Sequence, residues 1–391
     1  MHAQAAVQAG GLAGRGVEQT SVMKVYVAAT RQNDGKTITC LGLISALKKR
    51  VGSVGYIKPV GQRYIEINGH KIDEDALLVK DVYDLRGSVT DMSPIAVPRH
   101  FTEDYIDNPD RKALTDRVSE AYARVAMEKD VVVVEGTGHA GVGSVFDLSN
   151  SDVAALLRTP VVMVSSGGIG RPIDEIMLNK ATFDANGVEI LGVIVNKVQE
   201  EKYEKIKSYV IRGLERKGLE VLGVMPYRPT LSSPTVEQLL EDIDGELISG
   251  HRGLRNTVGK MVIGAMPPHQ ALEYMSTDTL LITPGTREDL ILAAMSSCIL
   301  GATQTPCVAG MILTGGTPPQ PKILELVRKT YIPVILVSDD TYTVASRIAK
   351  LIVKIRPGDF EKIRAAEELV DQYVDVDRLL GKLEGGAGAR E

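Results

Sequence analysis

Gly35, Lys36 and Thr37 stand in a row between an apolar run at 24–29 and a helical pattern at 37–50. A strand, a turn ending Gly-Lys-Thr and a helix are the parts of a phosphate cradle. Backbone N–H groups at the helix start face the anion, and Gly35 permits close backbone approach. In such a cradle Lys36 reaches the β- and γ-phosphates and the Thr37 hydroxyl ligates Mg2+. The strict GxxxxGK[ST] spacing asks for glycine where Thr30 stands, so the pattern departs at its first position. Two further positions supply the rest of a Mg-nucleotide centre. The apolar run 131–134 ends in Glu135 and then Gly136; a carboxylate at the carboxyl end of a parallel strand points into the ligand crevice, or else caps a neighbouring loop. Another run ends in Lys58 and Pro59. Lys58 is either a second phosphate-facing cation or a solvated strand-end lysine.

The elements that must position these groups alternate along the chain. Short β-branched runs at 24–29, 53–58, 130–135, 160–165, 190–196 and 219–226 are bounded by Gly, Pro or Asn and are mostly apolar throughout. Continuous apolar strands are what a parallel sheet covered on both faces requires. With helical segments such as 37–50 and 201–217 between them, they predict a doubly wound α/β domain over 23–228. The segment 229–234, Pro-Thr-Leu-Ser-Ser-Pro, marks a boundary. A smaller α/β domain follows over 229–352, with strands at 259–265, 279–283, 309–313 and 333–337. Residues 353–391 read as a C-terminal helix, 357–380, and a frayed Gly/Ala-rich tail. Residues 1–22 read as a disordered extension, with Met23 as a second candidate start.

Composition narrows the function classes. The chain has 391 residues, 44% hydrophobic, with 45 Lys+Arg against 50 Asp+Glu and a net charge of -5. No basic excess is available for a nucleic-acid partner, and no apolar run approaches the roughly 20 residues that span a bilayer. Three scattered cysteines, Cys40, Cys298 and Cys307, match no zinc spacing. A reduced, cytoplasmic protein with neither nucleic acid nor membrane as partner is expected.

Taken together, Thr30…Gly35-Lys36-Thr37, Lys58-Pro59-Val60, Asp75-Ala76-Leu77, Glu135-Gly136 and Asn196 resemble, in order and spacing, the dethiobiotin synthetase family of P-loop enzymes. The resemblance implies ATP and Mg2+ as cofactors. The loop residues Thr30, Asn33, Asp34, Gly35, Lys36, Thr37 and Ile38 would hold the nucleotide, and Asn196 would contact the base. Thr37, Asp75 and Glu135 would form the magnesium shell, while Lys36 and Lys58 would act on the transferred phosphate. Arg31 and Gln32 replace family residues in the loop, and Gly61-Gln62 stands where the synthetases favour a small hydroxyl contact to their substrate. The second half resembles the DRTGG domain through Gly264-Ala265-Met266, Arg287, Thr314-Gly315-Gly316, Asp340 to Thr343, and Ile355 to Asp359, with Thr286 where that pattern has aspartate. Residues 23–380 thus resemble the amino-terminal region of long bacterial phosphotransacetylases. That resemblance implies a homodimer; the acetyl-transfer domain is not among these residues, so phosphotransacetylase activity is not expected.

Several other segments carry a functional and a plain reading side by side. The loop 136–143 could place His139 as an acid or base near neutral pH, or serve as a connection. Arg171 could bind an anion. Ser149 to Asp152 reads as a helix cap, Cys40 as core, and the polar insertion with Arg99, Asp104 and Tyr105 as a lid or oligomer contact. Thr314 to Thr317 could hold a small anionic effector or serve geometry alone. Two functions fit: a Mg-ATP-binding protein that hydrolyses ATP or activates a small carboxylate or carbamate substrate for ligation, or a nucleotide-sensing module tied to acyl-phosphate metabolism. ATP over GTP follows from the family and Asn196, since no Asn/Thr-Lys-x-Asp guanine signature is present.

Overall fold

In a computed structural model, residues 22–300, 308–351 and 353–388 are described. The expected N-terminal extension lies outside them, apart from Val22, which packs on the first core. Cys307 and the side chain of Cys298 also fall outside what is described. Among the described residues, no helix is long and apolar enough to cross a membrane.

The first domain is built on six parallel strands. Across the sheet they run Val221–Pro226, Ile190–Val198, Val161–Ser166, Met23–Ala29, Val131–Glu135 and Val54–Ile57. The chain reverses its direction of travel at the central strand Met23–Ala29, and ligands of such sheets bind outside the strand carboxyl ends at that switch. The apolar runs are buried because helices cover both faces: Val25, Val27, Val132, Val134, Val162 and Val193 are all fully enclosed. Cys40 packs in this core, as its surroundings in the sequence suggest.

Helix Lys36–Val51 is buried nearly all round, with Leu41, Leu43, Ile44 and Leu47 enclosed. One side faces the sheet. The other is covered by the last two helices, Phe360–Tyr373 and Val376–Gly388, whose Ala366, Leu369, Val370 and Leu379 join the first core. The crossing is tight at Gly42, where a Cβ would meet Val370 Cγ2 at 2.3 Å and the Ala366 carbonyl at 2.8 Å. A single helix over 357–380 and a frayed tail are therefore corrected. The helix breaks at Val374, which bridges to Gly223 in antiparallel fashion, and Asp375 Oδ1 then accepts from the Arg378 N–H. Helical structure continues through the Gly/Ala-rich segment to Gly388.

The second domain has a five-stranded mixed sheet. Lys260–Ile263, Thr279–Pro284, Gly310–Thr314 and Val334–Val337 are parallel, and Gly245–Ser249 adds an antiparallel edge. That edge strand is absent from the sequence reading because it is short, opens with Gly245-Glu246 and is only half buried. A hairpin was likewise unread: Tyr64–Ile67 pairs with His70–Asp73 around Asn68 and Gly69, whose φ values of 52° and 78° suit a tight primed turn.

Candidate functional site

The loop after the central strand is shaped from within. Asp34 Oδ2 accepts from Thr30 Oγ1 at 2.6 Å and from the Arg31 N–H at 2.8 Å. Asn33 and Gly35 take positive φ, 68° and 104°. Asn196 Nδ2 donates to the Asp34 carbonyl at 3.0 Å, and it lies where a Cβ on Gly35 would stand, 2.1 Å away. Only glycine fits there, which gives the Gly35-Lys36-Thr37 spacing its physical reason. Thr30, Asp34 and Asn196 are thus buried supports of the loop, and the amide of Asn196 is spent on Asp34 and on the Lys197 N–H. Asn33, Gly35, Lys36, Thr37 and Ile38 face a cleft of about 320 Å³, within the range of small-molecule sites.

Two buried amides fasten the opposite wall. Asn150 accepts from Tyr26 OH and the Thr137 N–H, both at 2.8 Å, and donates to the Thr137 and His139 carbonyls. Gly136 packs on the same two side chains; a Cβ there would meet Asn150 Oδ1 at 2.7 Å and Tyr26 Cε1 at 2.8 Å. Asn179 receives the Ala140 N–H and donates to the Thr30 carbonyl, joining the two glycine-containing loops. In the sequence Asn150 reads only as part of the Ser149 to Asp152 cap, and Asn179 does not stand out because it lies 39 residues from Ala140 and 149 from Thr30. Ser149 and Asp152 do form a capping box.

The charged groups converge on this cleft. Lys36 Nζ donates to the Gly138 carbonyl at 2.9 Å. Burial lowers its ammonium from the ordinary lysine range, and Glu135 opposes that. Thr37 Oγ1 donates to Glu135 Oε1 at 2.8 Å, while Tyr56 OH donates to Glu135 Oε2, also at 2.8 Å. Lys58 Nζ lies among three acids: it donates to Asp75 and stands 3.1 Å from Asp73 Oδ1 and 3.8 Å from Glu135 Oε1. Burial disfavours the Lys58 charge, yet Asp75, Glu135 and Asp73 together hold it well above the ordinary range. Burial pushes Asp73 and Glu135 up. Asp75, also buried, is held down to about 2 by Lys58 and Lys354.

The donor set fits a hard divalent cation. Thr37 and Glu135 are already in contact, and Asp73 Oδ2 is buried without a hydrogen-bond partner among the described residues. Asp75 stands behind Lys58, so no three-acid metal cluster is preformed among the described residues. Asp73, which also caps helix Glu74–Tyr83 by accepting from the Asp75 N–H at 2.9 Å, was not singled out in the sequence. An aspartate before an acidic first helical turn is the signal that points to it. Lys354 was missed as well. It arrives from the far end of the second domain and pairs with Glu74 at 2.9 Å and Asp75 at 3.6 Å, while Leu351, Val353 and Ile355 beside it line the cleft. Lys197 closes a third side, donating to the Asn33 carbonyl at 2.7 Å.

Other candidate residues lie elsewhere. His139 is exposed, and its ring Nδ1 accepts from the Gly141 N–H. Arg171 pairs with Glu175 at 2.7 Å, and Glu175 also holds Arg31. Tyr105 donates to Asp147 while Phe101 packs edge-on against Phe146, so the polar insertion is docked on the turn after the Gly136 loop. In the second domain, the N–H groups of Gly315 and Gly316 go to the Asp339 and Val337 carbonyls. Arg287 ties Gly264 and Met266 through their carbonyls, both at 3.1 Å, and pairs with Asp289.

Known proteins match along nearly the whole chain. A family model described as AAA domain matches residues 23–235, and one described as DRTGG domain matches residues 238–351. A phosphate acetyltransferase of Nitratidesulfovibrio vulgaris is 28% identical over 370 residues, covering 92% of this chain and 51% of that protein. A phosphate acetyltransferase of Synechocystis sp. is 26% identical, again covering 92% of this chain and 51% of the relative. The chain therefore spans about half the length of the curated relatives it matches. Among solved structures, the MinD cell division protein of Aquifex aeolicus is 14% identical with a TM-score of 0.34, covering 54% of this chain and 84% of that one.

Proposed function

This chain belongs to the AAA-domain family of dethiobiotin synthetase-like P-loop proteins, here joined to a DRTGG domain, and on that footing we propose that it binds Mg-ATP in the cleft at Lys36 and reports the bound state to its second domain. The observation that carries this reading is Lys354. A cation from the segment that leaves the second domain is paired to Asp75 inside the P-loop cleft. A ligand that changes the charge there changes what Lys354 is paired to, and hence the seating of residues 351–355.

The chain's own groups would divide the work. The Lys36–Val51 helix start and the Lys36 ammonium bind the phosphates, with the Gly138 carbonyl giving up its present hydrogen bond. Thr37, Glu135 and Asp75 or Asp73 would hold Mg2+, which when bound neutralises phosphate charge. Lys58 holds Asp75 in its charged form and opposes the effect of burial on Asp73 and Glu135. The half-length match to phosphate acetyltransferases suggests regulation of acyl-phosphate chemistry as the wider role. The reading is tested by titrating Mg-ATP into wild type and Lys354→Ala while following protease cleavage of the 351–356 segment. Protection by Mg-ATP in wild type, lost in the variant, is the expected outcome; unchanged cleavage in wild type sinks it.

Turnover is the second reading, favoured by the intact contact between Thr37 and Glu135 beside Lys36. It predicts ATP hydrolysis, or ligation of a small carboxylate, that Lys36→Ala abolishes. A steady-state assay showing Mg-ATP binding without turnover across carboxylates and amines removes it. Homodimerisation stays with this proposal, and sedimentation of the full chain measures it.

A further inference from the structure

A second cavity lies where three passages of the chain meet: the exit from the first domain at 230–237, the loop at 255–257, and the return from the second domain at 356–362. Its volume is about 360 Å³, similar to that of the nucleotide cleft, and none of its lining residues is shared with that cleft. Helix Phe360–Tyr373 points its start at this cavity, and no side chain caps it. Lys362, on the first turn, is 3% exposed. Its Nζ has no hydrogen-bond partner among the described residues; the nearest carboxylate, Asp359 Oδ2, is 3.8 Å away, too far to accept.

Burying an ammonium without a hydrogen bond is costly, so a lysine in that position calls for a function. The other charges on the cavity narrow the ligand. Arg356 is spent on Glu241, with Glu237 4.0 Å away, and its N–H is taken by Asp359. Arg255 is exposed and has no ion pair or side-chain hydrogen bond among the described residues. Among the described residues, Glu361 makes no ion pair, while the other lining acids, Glu237 and Asp359, have Arg356 and Lys362 within 4.0 Å. Lys362, whose buried Nζ has no hydrogen-bond partner among the described residues, and the exposed Arg255 thus both line the cavity at the start of a 14-residue helix. Phe360, 75% exposed, offers an apolar ring at the same mouth.

We infer that this junction cavity is a second anion site, which takes the phosphoryl group of a small phosphorylated metabolite between Lys362, Arg255 and the N-terminus of helix Phe360–Tyr373. The site is independent of the nucleotide reading, yet only one residue separates Arg356 from Lys354 in the nucleotide cleft. An anion here therefore acts on the segment that reaches Asp75.

The test uses the full chain carrying Lys36→Ala, so that phosphate cannot be counted at the P-loop. Inorganic phosphate and glycerol 3-phosphate are titrated by calorimetry, as the free and the ester form of the same group. Both are expected to bind the Lys36→Ala chain. Binding should weaken about tenfold or more on adding Lys362→Met and a few-fold on adding Arg255→Gln. Lys362→Met should also raise the Tm of the unliganded chain, because a buried ammonium with no hydrogen bond and a carboxylate no nearer than 3.8 Å is replaced by an apolar side chain of similar length. Loss of all phosphate binding in Lys36→Ala alone overturns the proposal. So does Lys362→Met that lowers the Tm together with Arg255→Gln that leaves phosphate affinity unchanged, which would make Lys362 a packing residue. Should Lys362→Met fail to fold, the Arg255→Gln titration decides by itself. Failure of the P-loop reading shows separately, as unchanged ATP affinity in Lys36→Ala.

Discussion

The carboxyl ends of the two sheets are built from the same materials and finished differently. At the first sheet, the loop of Gly136 and Gly138 borders an open cleft, and five charged side chains (Lys36, Lys58, Asp73, Asp75 and Glu135) crowd a space of about 320 Å³. At the second sheet, Gly315 and Gly316 direct their N–H groups to backbone carbonyls, and Arg287 is fully engaged with Gly264, Met266 and Asp289. A glycine turn after a strand is not in itself a ligand site. What separates the two is charge: ionisable side chains from several elements gather at the first sheet, whereas Arg287 at the second is held by carbonyls and an acid of its own domain.

The largest break in that contrast should come from Lys58→Met. It removes the cation from three buried acids, and is expected to cost about 3–5 kcal/mol of stability, since one partner of a buried cluster is lost and the others stay. Urea unfolding measures it, and adding Asp75→Asn should recover part of the loss. Next is Lys36→Ala, expected to weaken Mg-ATP binding about a hundredfold by calorimetry while leaving the Tm nearly unchanged. Arg287→Ala in the second domain should show the reverse: about 1–3 kcal/mol of stability lost with ATP affinity within about twofold of wild type, because its partners are carbonyls of its own domain. A loss of ATP affinity in Arg287→Ala would erase the distinction between the two sheet ends.

The pH dependence sharpens the same comparison with a smaller effect. Asp75 is held down to about 2 in the folded chain, below its unfolded value. Its contribution is therefore complete above the unfolded carboxylate range and is lost as pH falls toward about 2. Asp73 and Glu135 are raised, so their burial opposes folding once ionised, and protonating them relieves that cost as pH falls. Acid titration of Asp75→Asn should flatten the stability loss at the lowest pH relative to wild type, whereas Asp289→Asn should flatten it less, because the Asp289 carboxylate, also held down by Arg287, is exposed to solvent.

Much of the first domain was legible in the residues. The six parallel strands show as unbroken Val/Ile runs because both faces of the sheet are covered, and Gly35-Lys36-Thr37 with Glu135 shows as strand-end chemistry. The hidden parts are those in which distant segments meet. Asn150 and Asn179 act on loops far from them in sequence, and Asp73 is positioned by a hairpin whose Asn68-Gly69 signal was overlooked. Lys354 lies more than 200 residues from the acids it pairs with, and nothing local marks it. The edge strand Gly245–Ser249 is too short and too polar to announce itself.

The tight crossing at Gly42 has a consequence for how the chain is assembled during synthesis. Helix Lys36–Val51 leaves one apolar flank bare until Ala366, Val370 and Leu379 emerge. The first-made core is thus among the last to be sealed, and the DRTGG unit, interposed in sequence between the two parts of that core, can condense while its host is still open. A chain truncated between the second domain and helix Phe360–Tyr373 should therefore carry the nucleotide helix uncovered, a species that chaperones should recognise by that flank.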